Sequence, residues 1–106
     1  MELWNAAIED LVRRIVEAVH PLKIILFGSA ARDDLKPSSD VDLLVVMPDG
    51  VHRRRTAQEL YRKIRGVGVP FDLVVATPRD LEMHKDNPGL IYRTILEEGK
   101  EVYAAA

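Results

Sequence analysis

The chain contains no cysteine. That absence excludes disulfide staples, thiolate metal sites and thiol nucleophiles. It also contains no apolar run near the roughly 18–20 residues of a membrane span. The start, Met1-Glu2-Leu3-Trp4-Asn5, has neither a basic segment nor an apolar one, so no secretory leader is visible. A cytoplasmic location with no membrane partner is the resulting expectation. There is no repeat, no low-complexity tract and no linker. What remains is 106 residues, 47% apolar and 30% charged, the composition of an ordinary globular domain. That length predicts a single domain over residues 1–106.

The formal net charge of −2 hides an asymmetry. His52 to Arg65 carries six basic residues and only Glu59 as an acid, a net of +5, which leaves −7 on the rest. Basic character confined to one segment argues against general nucleic-acid binding. Tyr61 is the one aromatic in that segment, a poor platform for stacking bases. The segment reads as a solvated helix face, with steering of ATP or an acidic partner as the alternative. His20, His52 and His84 have no ligand spacing and read as surface or capping residues.

Hydrophobic periodicity orders the elements. Leu3, Ala7, Ile8, Leu11, Val12, Ile15, Val16 and Val19 form the stripe of an amphipathic helix that ends near His20-Pro21. Lys23 to Phe27 is a strand closed by Gly28, and Ser29 to Arg32 is the start of a short helix. Val41 to Met47, rich in Val and Leu on both alternating faces, is a strand covered on both sides and therefore central. His52 to Arg65 is a helix, and Val69 to Ala76 a third strand. Thr77, Pro78 and Asp80 make a helix start with Thr77 as its cap. Asn87-Pro88-Gly89 restarts a helix carrying Leu90, Ile91, Ile95 and Leu96, capped by Gly99. Lys100 to Tyr103 is a last short strand, with Ala104 to Ala106 a frayed end. The fold class is α/β (α+β), a small mixed sheet flanked by helices.

The chemistry sits in three places. Asp40 and Asp42 lie two apart where a strand begins, so their side chains share a face with apolar Leu44 and Val46. Two adjacent carboxylates repel, and a divalent cation removes the conflict. Hard oxygen ligands suit Mg²⁺, which keeps waters and takes substrate phosphates as further ligands. Two ions about 3.5–4 Å apart would clamp the oxygens of a phosphoryl or nucleotidyl transfer. Gly28-Ser29 stands at a strand-to-helix turn, where a phosphate can approach the backbone and Ser29 adds a hydroxyl. Arg32 would neutralise phosphate charge or anchor the loop towards Asp40. Asp72 stands inside the apolar run Phe71-Asp72-Leu73-Val74-Val75, where a lone buried carboxylate costs several kcal/mol unless paired or metal-bound. On a strand beside that of Asp40 and Asp42 it would complete a triad and accept the proton of an attacking hydroxyl. Each signal alone has a plain reading: a common Gly-Ser turn, a helix cap or surface turn for Asp-x-Asp, an arginine partner for Asp72. Together they favour a site.

Gly28-Ser29-x-Ala31-Arg32, six residues, then Ser39-Asp40-x-Asp42-Leu43, resembles the signature of the minimal nucleotidyltransferases of the DNA polymerase beta superfamily. The leading helix, Asp72 on the third strand and the run from Asn87 to Gly99 extend the likeness over most of the chain. The resemblance implies a polymerase beta-like core that uses Mg²⁺ and a nucleoside triphosphate, AMP from ATP being the expected group. It implies Asp40, Asp42 and Asp72 as catalytic metal ligands, and Gly28, Ser29, Arg32 and Ser39 as nucleotide contacts. Family members of this size resemble antitoxins that adenylylate a HEPN-domain toxin on tyrosine, so a HEPN partner supplying the acceptor hydroxyl is implied, with a homo-oligomer as another way to dock the acceptor. Asp33 stands where the family usually has a small residue, which keeps a non-catalytic docking module open. Transfer to a small molecule is the third reading.

Overall fold

The computed structural model describes residues 2–28, 40–87 and 91–106, with side chains from residue 6 onward. The expected short helix from Ser29 to Arg32, the loop to Ser39 and the Pro88-Gly89-Leu90 helix start lie outside the described residues.

The first helix, α1, spans Glu2–Val19. Its stripe buries Ile8, Leu11 and Ile15. It stops where expected: His20 adopts the left-handed region (φ 49°), its N–H donates to the Val16 carbonyl at 2.9 Å, and Pro21 prevents continuation. Four strands follow: β1 (Lys23–Phe27), β2 (Val41–Val46), β3 (Phe71–Ala76) and β4 (Lys100–Ala104). Their order in the sheet is β3-β2-β1-β4. β1 is antiparallel to β2 and β4, and β2 is parallel to β3. A parallel pair needs a crossover, and α2 (Arg53–Lys63) supplies it. After β3 come α3 (Pro78–His84) and α4 (Ile91–Glu98).

β2, apolar apart from Asp42, is central and buried on both faces beyond that residue. Val41, Leu43 and Val45 meet Leu11 and Ile15 of α1 and Leu60 of α2. Leu44 and Val46 meet Ile95 of α4, with Leu81 of α3 and Tyr92 against them. The sheet thus separates two apolar layers.

Several boundaries differ from those read in the sequence. The third strand begins at Phe71, not Val69, because Pro70 has no N–H to give a ladder, although its carbonyl accepts from Val41 at 2.9 Å. The second long helix ends at Lys63. In α4 only Ile95 is buried, while Ile91 and Leu96 are exposed. Ala104 belongs to the last strand, and the Ala105 N–H donates to the Leu22 carbonyl at 2.9 Å, so the end is tied down further than expected. Among the described residues no helix is long and apolar enough to cross a membrane.

Candidate active site

The sheet register assembles the site. Phe27 at the end of β1 pairs with Asp42 on β2, and Asp42 pairs with Asp72 on β3. Side chains alternate along a strand, so Asp42 shares its face with Leu44 and Val46, and Asp72 shares its face with Val74 and Ala76. Those apolar neighbours all belong to the layer under α3 and α4. The two carboxylates therefore stand side by side on one face, at the rim where the apolar row ends. Asp40 precedes β2 and is exposed.

The burial of these groups reverses one expectation. Asp72 is exposed, not a buried charge in an apolar run. The physical reason is its place: β3 is an edge strand and Asp72 is its second residue. Asp42, on the central strand, is the half-buried one. Burial pushes the Asp42 carboxyl above its ordinary value of 3.8, and the charges of Asp72 and then Asp40 push the same way. The three carboxylates thus interact, with Asp42 at the focus.

Gly28 follows β1 directly with φ 73°, a backbone region that favours glycine. A Cβ there would collide with Oδ2 of Asp42. The backbone of the turn therefore lies against the carboxylate at the heart of the cluster, and a side chain at residue 28 would separate them. The expected contacts from Ser29, Arg32 and Ser39 fall outside the described residues.

The donor chemistry fits a divalent cation. Asp42 and Asp72 stand level on adjacent strands, with Asp40 just ahead of β2, and the repulsion between such carboxylates is the term that a cation cancels. Among the described residues no three acidic or histidine side chains are gathered closely enough to hold a metal ion as they stand. Asp42 and Asp72, in register, are the pair that could share one.

Sequence reasoning placed His52 and Thr77 correctly as capping residues. The His52 imidazole accepts from the Arg55 N–H at 3.1 Å. Thr77 and Asp80 form a reciprocal capping box. His84 stacks on Tyr92, ring centres 5.9 Å apart, so both pack together at the α3–α4 junction. The residue it missed is Tyr61, treated only as a weak stacking aromatic. Its hydroxyl accepts from the Leu73 N–H at 2.7 Å and its ring lies parallel to Phe71. The signal was available in principle as an aromatic at a helix end facing an edge strand.

The nucleotidyltransferase domain family matches residues 8–102. A protein of Methanocaldococcus jannaschii, named as a protein adenylyltransferase, is 36% identical over 72 residues, 63% of this chain and 49% of that protein. The chain thus spans about half the length of this curated relative. A crystal structure from Sulfolobus solfataricus, described as a nucleotidyltransferase, superposes with a TM-score of 0.62 at 20% identity, covering 98% of this chain and 88% of that one. A crystal structure of a toxin-antitoxin with AMP-PNP superposes with a TM-score of 0.59 at 22% identity, covering 92% of this chain and 73% of that one. At such identities these two superpositions speak for the fold alone.

Proposed function

The chain belongs to the nucleotidyltransferase domain family, and from that premise we propose that it transfers a nucleoside monophosphate, AMP from ATP, to a hydroxyl of a protein partner, with pyrophosphate as the leaving group. The observation that carries this reading is the placement of Asp42 level with Asp72 and against the glycine turn at Gly28. In this reading Gly28 lets the triphosphate approach the backbone, with Ser29, Arg32 and Ser39 as further contacts. Asp40, Asp42 and Asp72 would hold Mg²⁺, which would supply charge neutralisation at the α-phosphate. Asp72, exposed at the edge, is open to an incoming acceptor and takes the proton of its hydroxyl. Asp42, half-buried, fixes the geometry from below. Most of the rate gain comes from positioning and charge stabilisation.

A protein acceptor is supported by the name of the Methanocaldococcus relative. A toxin–antitoxin setting is in keeping with the toxin-antitoxin fold neighbour and its nucleotide analogue, and a HEPN-domain protein as the modified partner is what the motif resemblance implies. A second reading, in which the same fold silences its partner by docking alone, is favoured by the spread of the described carboxylates.

Label transfer from ATP marked at the α-phosphate separates the two. Purified protein, Mg²⁺ and lysate of the source cell are incubated, with Asp42→Asn as control. A labelled protein band that requires both the metal and Asp42 supports transfer. Equal labelling by Asp42→Asn overturns the site, and no label in the presence of the native partner favours docking.

A further inference from the structure

We propose that Tyr61 is a positioning residue for this site: it pins the short stretch of β3 that carries Asp72, and so keeps that carboxylate level with Asp42. The inference rests on the reading of these carboxylates as a cation-binding site.

β3 is an edge strand, with β2 on one side only. Its backbone groups alternate between the two sides. The Val41 N–H donates to the carbonyl of Pro70, and the Met47 N–H donates to that of Ala76, so the even-numbered residues face β2. Leu73 is odd-numbered, and its N–H points away from the sheet. Such outward groups are the loose side of an edge. Here the Leu73 N–H donates to the Tyr61 hydroxyl at 2.7 Å. The ring of the same tyrosine stacks on Phe71 with centres 5.6 Å apart and planes 9° from parallel. One side chain from α2 therefore grips the residues immediately before and after Asp72.

Tyr61 is 42% exposed, too open for core filling to account for it. Its apolar part is spent on one neighbour and its hydroxyl on a backbone group. The grip matters because a slip of one residue in β3 would turn Asp72 to the opposite face. Val74 and Ala76 would hold the far end of the strand in the apolar layer. The Asp72 end has no such weight on its own face, and Tyr61 holds it from the side.

Tyr61→Phe keeps the ring and removes the hydroxyl, so the fold is retained. The test titrates Mn²⁺ by electron paramagnetic resonance into the wild type, Tyr61→Phe, Asp72→Asn and, as a control for lost stability alone, Thr77→Ala. Amide hydrogen exchange at Leu73 is followed in parallel. Free Mn²⁺ gives a sharp signal that fades on binding, so a signal that stays at its free amplitude in Asp72→Asn assigns the ion to the site. In Tyr61→Phe we expect faster exchange at Leu73 and Mn²⁺ affinity weaker by about tenfold, as for other groups that orient metal ligands. Thr77→Ala keeps wild-type affinity. Affinity in Tyr61→Phe within about twofold of the wild type overturns the positioning role and leaves the site reading intact. A wild type that binds no Mn²⁺ overturns both.

Discussion

Asp42 is a carboxylate that the fold holds against its own preference. Burial and the charges of Asp72 and Asp40 raise its proton affinity above the ordinary 3.8. A carboxyl raised in this way favours folding when protonated and weakens it as pH rises through the folded value. In chelator, Asp42→Asn is therefore expected to melt higher than the wild type at neutral pH. The gap closes at about pH 3, where the carboxyl is protonated in both folded and unfolded chains. Thermal melts across that range check the sign, and a wild type more stable than Asp42→Asn at neutral pH contradicts it. The same variant loses orders of magnitude in transfer rate if the site is read correctly. Gly28 gives a second test. Alanine there costs roughly 1–2 kcal/mol for its left-handed backbone, and its Cβ also collides with the Asp42 carboxylate. Part of the cost should disappear in an Asp42→Ala background, a coupling that a double-mutant cycle measures.

At the scale of elements, α3 depends on its cap. The Thr77 N–H and hydroxyl donate to Asp80 Oδ2 at 2.9 and 3.0 Å, and the Asp80 N–H donates to the Thr77 hydroxyl oxygen at 3.2 Å. Burial acts to raise the Asp80 carboxyl, but these bonds, then Arg53 and His84, outweigh it and hold it below its usual value. The sign is opposite to that of Asp42. Asp80→Asn should lose stability at neutral pH and converge with the wild type in acid, and loss of the cap is worth about 1 kcal/mol. Denaturant melts at two pH values check both. This cap was legible in Thr77-Pro78-Arg79-Asp80 because capping is local chemistry. The stripe of α1 and the doubly apolar β2 were legible for the same reason, since periodicity is local. What escaped was relational. That β3 is an edge follows from strand order, which no single segment encodes, and the exposure of Asp72 and the grip of Tyr61 follow from that. That Ile95 is buried while Ile91 and Leu96 are exposed is not legible either, because a short helix with many apolar residues does not say which of them its neighbours will cover.

At the scale of the molecule, the pairing of Asp42 with Asp72 was expected only on condition that their strands were neighbours, and the parallel register meets that condition. The whole depends on close approaches that a sequence marks only with a glycine. Gly99 links α4 to β4, and its N–H donates to the Ile95 carbonyl at 2.8 Å. A Cβ there would strike the Ile25 side chain and the carbonyls of Ile95 and Leu26. Gly99→Ala should therefore cost about 1–3 kcal/mol, typical of overpacking, and chemical denaturation measures it. The crossover through α2 has a consequence for the life of the protein before it is complete. A chain still on the ribosome, synthesised only as far as β2, already carries Gly28, Asp40 and Asp42, yet it lacks the strand that places Asp72 beside Asp42. Another 26 residues, from Met47 to Asp72, must be made and closed into a parallel pair before the third carboxylate arrives. The candidate site is thus assembled by the same step that joins β3 to the sheet, and a chain stopped at β2 lacks the carboxylate that stands level with Asp42.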